Sequence, residues 1–218
     1  LVVLATGAQG AAAKMLGAVR DPDETFGLAI RAYAPTPRHA ERHLEACLSL
    51  RDEHGTPVPG YGWMFPAGDG TVNIGVGALS TMKGFKKLNL NTLLDQYASI
   101  VREPWSLGDY VEKPRVWRLP MSCIRRHGPG WVAVGDAAGF TSPLFEGGSH
   151  LALWSGREAA KVIAKAIEEN DLSERRLMAY QKAWLKRFPP YKKILKGKTA
   201  LYELTDDEMS VMARCLPE

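Results

Sequence analysis

The sequence predicts a mixed α/β fold, α+β overall, in which an α/β domain is interrupted by an antiparallel sheet and followed by helices. Strand and helix patterns of α/β type occur in residues 1–22 and 115–170. Between them, residues 23–114 contain short strands separated by turns with Gly, Pro and Asp. The 218 residues, 45% hydrophobic and 24% charged, are enough for one large domain or two small ones.

The first half of the chain is predicted to consist mainly of strands. Its predicted elements are a buried strand over residues 1–6, a turn and short Ala-rich helix over 7–17, strands over 26–34 and 44–51, and a hairpin of strands 61–66 and 71–76. The hairpin turn contains Asp69-Gly70, a pair typical of tight turns between antiparallel strands.

The second half is predicted to be mainly helical. Its predicted elements are a helix over 91–102 stopped by Pro104, strands over 115–120 and 131–134, and helices over 149–169, 173–188 and 206–215. In the helix over 149–169, apolar residues recur with a period near 3.6, and Pro189-Pro190 ends the next helix.

Several function classes are disfavoured by composition. Cys47, Cys123 and Cys215 lie far apart without a CxxC pair, which indicates reduced thiols and a cytoplasmic location. The histidines show no metal-ligand spacing, so no metal site is expected. No apolar run approaches the roughly 18 residues of a membrane span, and no secretory signal is recognisable. Because the chain opens on Leu1 inside an apolar run, we expect it to be a fragment of a longer protein.

A candidate binding site follows the strand over 131–134. That strand leads into Gly135-Asp136, and an Asp at such a strand end can accept hydrogen bonds from sugar or polyol hydroxyls. Taken alone, the pair favours a plain turn capped by Asp. Gly147-Gly148 then precede a strong helix, whose N-terminal N–H groups favour an electron-rich oxygen or a phosphate.

A second candidate site lies in the middle of the chain. Alternation places Tyr61, Trp63 and Phe65 on one face of a strand. Three aromatic rings on one face form either a wall of the core or an apolar binding surface, and periodicity does not distinguish the two.

These segments resemble the geranylgeranyl reductase family, whose members share the FAD-binding fold of the aromatic hydroxylases. The resemblance is carried by Gly135-Asp136-Ala137-Ala138-Gly139, by Tyr61-x-Trp63-x-Phe65-Pro66 and by the later Gly75-x-Gly77. The family usually has Asn-Pro and Gly-Glu-Gly where Ser142-Pro143 and Glu146-Gly147-Gly148 stand here.

The resemblance implies site residues for both segments. The implied FAD-binding residues are Gly135, Asp136, Ala137, Ala138, Pro143, Gly147, Gly148 and Ser149. The implied substrate-binding residues are Tyr61, Trp63, Phe65, Pro66, Gly75 and Gly77. No catalytic residue is assigned.

The resemblance also implies a domain plan. The C-terminal part of a Rossmann-like FAD-binding domain would comprise residues 1–22 and 115–170. Residues 23–114 would be an inserted antiparallel-sheet substrate domain, and residues 171–218 a C-terminal helical segment. The chain lacks the Gly-x-Gly-x-x-Gly that holds the ADP half of a dinucleotide.

The implied activity is FAD-dependent saturation of carbon–carbon double bonds in a polyprenyl lipid or prenylated quinone. NAD(P)H or a ferredoxin-type protein would supply electrons, and no nucleic-acid partner is expected. The alternatives are a flavin-dependent monooxygenase or halogenase of the same fold and a non-catalytic lipid-binding or interaction fragment.

A basic tract over residues 175–198 could add a peripheral membrane contact. It contains nine Lys and Arg residues and no acid, and Tyr180, Trp184 and Phe188 recur at every fourth position. Such a segment suits an anionic bilayer surface, or it packs its aromatic stripe on the domain.

Overall fold

The computed structural model describes residues 1–18, 23–122 and 125–215, so that Cys123 lies outside the described residues. The strands are β1 (Val2–Leu4), β2 (Phe26–Pro35), β3 (Glu45–Cys47), β4 (Gly60–Pro66), β5 (Thr71–Leu79), β6 (Arg115–Pro120), β7 (His127–Gly128) and β8 (Trp131–Ala133). The helices are α1 (Ala11–Met15), α2 (Leu90–Trp105), α3 (Ser149–Glu168), α4 (Glu174–Arg187), α5 (Tyr191–Tyr202) and α6 (Asp206–Arg214), with 3₁₀ turns at Phe85–Lys87 and Gly135–Ala138.

The chain forms two compact units. The first contains residues 1–27 and 118–198, and the second contains residues 28–117 and 199–218. The C-terminal residues 171–218 therefore do not form a unit of their own, because they divide between the two at residue 198.

In the first unit a three-stranded sheet has the order β1-β8-β7, with β1 parallel to β8 and β7 antiparallel to it. Leu4 is buried, but Leu1, Val2 and Val3 are each nearly half exposed on the edge strand. The prediction of a buried strand over residues 1–6 is therefore wrong for all but Leu4.

The core of the first unit forms where α3 and α4 pack near the sheet. Tyr180 and Trp184 of α4 are buried against Phe140, with ring centroids of Trp184 and Phe140 4.0 Å apart. The Tyr180 hydroxyl donates a hydrogen bond to the carbonyl of Ala133 over 3.0 Å. Tyr180 and Trp184 thus belong to the core, and Phe188 packs against it.

The second unit is built on an antiparallel hairpin and one long helix. The sheet order is β3-β4-β5-β2-β6, in which β2 and β6 cross the boundaries between the units. The predicted β4–β5 hairpin is confirmed, with Trp63 opposite Gly75. Leu93, Leu94 and Tyr97 of α2 are buried in the core that includes β5.

Three helix predictions need correction. Helix α2 continues past Pro104, because Trp105 is buried and its indole N–H donates to Glu45 Oε2 over 3.1 Å. Leu153 and Ile167, predicted on the apolar side of α3, are exposed. Helix α5 was not predicted at all. Of the helices in the described ranges, none combines the length and apolar character needed to cross a bilayer.

Candidate functional site

The turn after β8 is built by two glycines in the left-handed region. Gly135 has φ +57°, and its N–H donates to Ser155 Oγ over 2.9 Å. Gly139 has φ +68°, and a Cβ there would lie 2.3 Å from the carbonyl oxygen of Ser122. The left-handed conformation favours glycine at both positions, and at Gly139 there is also no space for a side chain. The Gly-x-x-x-Gly spacing therefore fixes the path of the chain around Asp136.

Asp136 is partly buried and points toward the start of α3. Its Oδ1 accepts a hydrogen bond from Thr141 Oγ1 at 3.1 Å, and a Cβ on Gly148 would lie 3.0 Å from the same oxygen. A side chain at position 148 would therefore crowd the carboxylate. A carboxylate oxygen accepts hydrogen bonds, so the second oxygen can receive them from ligand hydroxyls.

The loop before α3 delivers an uncapped helix N-terminus beside Asp136. The loop closes through Ser142 N–H donating to the Gly147 carbonyl over 3.0 Å. Helix α3 then begins at Ser149 with Gly148 as N-cap and no side-chain capping bond. The first N–H groups of a helix lack intrahelical partners, so this end favours an electron-rich ligand atom.

These groups surround a cavity of about 650 Å³ in the first unit. It is lined by Ala5, Gly7, Leu119, Val134, Gly135, Asp136, Thr141, Glu146, Gly148, Ser149, Ala152, Leu153 and Gly156. Four of the implied cofactor residues, Gly135, Asp136, Gly148 and Ser149, therefore share one cavity. Ala137, Ala138 and Pro143 are buried, and Gly147 lies in the loop; none of these four lines the cavity.

Glu146 and Lys198 were missed by the sequence analysis as site residues. Their side chains are each only 3% exposed and form an ion pair between the loop and α5. Lys198 therefore does not lie on a basic surface, as the 175–198 tract had suggested. Burial raises the pKa of Glu146 and lowers that of Lys198, and the charge of each partner opposes the shift of the other. The signal that the sequence offered for Glu146 was its position directly before Gly147-Gly148.

The aromatic face lies in the second unit. Gly62 and Met64 turn toward the core, whereas Tyr61, Trp63 and Phe65 are half-buried on the opposite face of β4. The Trp63 ring lies 5.6 Å from that of Tyr61 and 5.9 Å from that of Phe65, centroid to centroid. The three rings thus form a continuous apolar surface outside the main core.

Gly75 makes room for this surface. A Cβ at Gly75 would lie 2.1 Å from Cζ2 of Trp63, whereas one at Gly77 would meet its neighbours at 3.5 Å or more. The indole therefore lies across β5 at Gly75, and its N–H donates to Asn73 Oδ1 over 2.9 Å. Pro66 ends β4.

Comparison with known proteins finds reductases. The chain is 40% identical over 167 residues to a menaquinone reductase of Mycolicibacterium smegmatis, covering 74% of this chain and 40% of that protein. It is 34% identical over 163 residues to digeranylgeranylglycerophospholipid reductase 2 of Methanopyrus kandleri, covering 72% of this chain and 40% of that protein. No family model matches the sequence.

Structural comparison agrees. A geranylgeranyl bacteriochlorophyll reductase-like protein from Thermoplasma acidophilum superposes with a TM-score of 0.74 at 23% identity, over 95% of this chain and 52% of that one. This chain belongs to the geranylgeranyl reductase family. The family fold confirms the predicted mixed α/β class.

The matches cover only part of each relative, and other flavoproteins share the fold. The chain spans about two-fifths of the length of the curated relatives that it matches. A flavin-dependent brominase has a lower TM-score of 0.63, at 16% identity over 84% of this chain and 46% of that one. The halogenase alternative thus shares the fold but is more distant.

Proposed function

We propose that the protein containing this chain is an FAD-dependent reductase that saturates carbon–carbon double bonds in the isoprenoid chain of a polyprenyl lipid. The observation that carries the proposal is the identity of 40% and 34% to two reductases whose names specify a menaquinone and a geranylgeranyl lipid. The substrate would be a prenylated quinone, a prenyl ether lipid or a prenyl diphosphate.

The cavity beside Asp136 fits one portion of FAD. Asp136 can accept hydrogen bonds from the ribityl hydroxyls, and Gly148 leaves that carboxylate accessible. The uncapped start of α3 at Gly148 and Ser149 favours the electron-rich edge of a flavin ring. When bound and reduced, FAD supplies the hydride that an isolated double bond needs.

The remaining requirements fall to the protein. An isolated double bond reacts only when the chain is held in place and water is excluded. The faces of Tyr61, Trp63 and Phe65 offer a rigid apolar surface for isoprene units, with Gly75 allowing the indole to lie flat. Pro66 and Gly77 support the same hairpin.

Peripheral membrane contact is a second part of the proposal. The exposed face of α4 alternates cations and apolar side chains, with Arg175, Met178, Lys182 and Leu185 at spacings of three and four. Such a face would bring the protein to an anionic bilayer in which a polyprenyl substrate is dissolved.

An anaerobic assay tests the activity. The complete protein with FAD, reduced by dithionite so that the natural electron donor is not needed, is expected to add two hydrogens to the isoprenoid chain of menaquinone or of a digeranylgeranyl phospholipid. Mass spectrometry reads the product after air has reoxidised any quinol ring to the quinone. Hydroxylated or halogenated product that requires oxygen would support the monooxygenase or halogenase alternative. Failure to retain FAD would support a non-catalytic role.

A further inference from the structure

Helix α5 presents polar groups to the interior of the first unit. Tyr191 and Lys198 are seven residues apart and so lie on one side of the helix. The Tyr191 hydroxyl is buried without a hydrogen-bond partner among the described residues, and the charge of Asp136 acts on it. Lys198 is buried and pairs with Glu146. One helix face therefore approaches both acidic groups of the cavity.

The backbone at Glu146 is constrained. Glu146 has φ +48°, a left-handed conformation that costs a non-glycine residue about 1–2 kcal/mol. Such a conformation persists only where surrounding contacts over-determine it. Within the described part of the chain, the Glu146 side chain forms an ion pair with Lys198.

Stability alone does not account for this pair. Glu146 Oε2 is buried and has no hydrogen-bond partner among the described residues, so the carboxylate is only half satisfied. An apolar pair of similar size is often as stable as a buried ion pair, or more so. What the ion pair adds is a directional link between α5 and the loop.

That link acts on the cofactor cavity. Glu146 lines the same cavity as Asp136 and precedes Gly147, whose carbonyl closes the loop onto Ser142. A displacement of Glu146 would therefore move the glycines at the start of α3.

We propose that Lys198 is a positioning residue for the cofactor loop, which through Glu146 holds residues 142–148 in the shape that receives FAD. This inference builds on the proposed function, because FAD is the ligand whose binding it controls. It assigns α5 a role in cofactor retention.

Replacing Lys198 should make the binding of FAD depend more strongly on pH. Desolvation favours the protonated Glu146 carboxyl and Lys198 counteracts it, so replacing Lys198 by Met leaves desolvation unopposed. In that variant the carboxyl is neutral at low pH and must ionise without a partner as the pH rises. Other titratable groups near the loop, among the described residues, include Asp136, Tyr191 and His150. The Cε1 atom of His150 would lie 3.9 Å from a Cβ on Gly147.

The experiment measures the Kd for FAD of the complete protein between pH 6 and 9, from the fluorescence of free FAD, alongside the visible spectrum of the bound flavin. Lys198→Met is expected to raise Kd by about tenfold or more at pH 8 and much less at pH 6. Lys198→Met with Glu146→Gln should keep the smaller increase in Kd that Lys198→Met shows at pH 6, because the link is still missing. It should lose the added pH dependence, because no buried carboxylate is left to ionise. Lys196→Met, an exposed position on the same helix, is the matched control.

The outcomes separate the two proposals. If the wild type binds FAD but Lys198→Met behaves like Lys196→Met, the inference is overturned and the proposed function stands. The same holds if the double variant binds FAD as tightly as Lys196→Met at every pH, since the loop would then keep its shape without the link. If the wild type does not bind FAD, both proposals fall.

Discussion

At the scale of single residues, Asp136 is the proposed acceptor for hydrogen bonds from FAD. Asp136→Ala should weaken FAD retention by about 1.5–3 kcal/mol, because hydrogen bonds from the ligand to a charged group are lost. The measurement is the FAD content of purified protein, together with Kd from equilibrium dialysis. Thr141→Val is the control, since it removes only the neighbouring donor to Oδ1. Full occupancy by FAD in Asp136→Ala would remove this residue from the site.

Trp63 is the central ring of the aromatic face. Trp63→Ala should raise KM for long prenyl chains more than for short ones while leaving the Kd for FAD nearly unchanged, because the variant loses the central ring of the proposed isoprene-binding surface. The assay compares substrates that differ only in the number of isoprene units. An equal effect on both lengths would argue against a role in binding the chain.

Gly75 and Gly77 form a matched pair for stability. Gly75→Ala should lower the free energy of unfolding by about 1–3 kcal/mol or more, because its Cβ would overlap the Trp63 ring and lie 2.6 Å from the Ile30 carbonyl oxygen. Gly77→Ala meets only ordinary contacts, so its effect should be small. Denaturant titration of both variants tests this; equal losses would contradict the packing argument.

The residue scale also shows what a sequence can predict of a site. The Tyr-x-Trp-x-Phe alternation was sufficient to place three rings on one face of β4, because strand periodicity is local. The pairing of Glu146 with Lys198 joins residues 52 positions apart, and no local pattern reports it. Lys198 instead appeared to continue a solvated basic run.

At the scale of elements, most helices and the hairpin were predictable, and the errors have physical causes. Pro189-Pro190 correctly ended α4, but proline is also compatible with the first turn of a new helix, and α5 starts at once after it. Pro104 should have stopped α2, yet burial of Trp105 outweighs the missing hydrogen bond. Tertiary packing decides the second case.

The exposed face of α4 yields a prediction for the membrane. Lys182→Gln with Lys186→Gln should lower partitioning onto vesicles containing anionic lipid by about tenfold or more, because each cation near such a surface contributes about 1 kcal/mol. The matched control is Lys83→Gln with Lys86→Gln, which removes two exposed cations from the second unit. Co-sedimentation with anionic and with neutral vesicles measures the effect. Equal losses in the two double variants would indicate only a general charge effect.

At the scale of the whole molecule, the chain passes between its two units three times, at residues 27–28, 117–118 and 198–199. The interruption of one unit by the other was predictable, since α/β patterns flank a run of antiparallel strands. The last crossing was not, because α5 is a continuous helix through residue 198. A helix that spans a boundary leaves no Gly or Pro signal at the point where the units change.

Acid stability is also a property of the whole molecule, and two pH windows contribute to it. His127 is buried, and burial lowers its pKa below 6.5, so the unfolded chain takes up a proton more readily than the folded one. Its contribution to stability is thus present above pH 6.5 and is lost as pH falls below that value. Hydrogen bonds from Thr56 and Thr71 lower the pKa values of Asp52 and Asp69, and these carboxylates act in the same direction only at lower pH.

The free energy of unfolding should therefore fall between pH 7 and pH 5 by at most about 1.4 kcal/mol per pH unit on account of His127. His127→Gln should lose this part of the slope, while His54→Gln should keep it, because the His54 side chain is 78% exposed and stays hydrated in both states. Glu146, with a raised pKa, offsets some of the loss in both proteins, so the difference between the curves isolates the imidazole. Denaturant titrations at several pH values measure it. If the free energy of unfolding of wild type and of His127→Gln varied with pH in the same way, the His127 ring would be hydrated in the folded protein. That result would contradict the burial of His127 in β7.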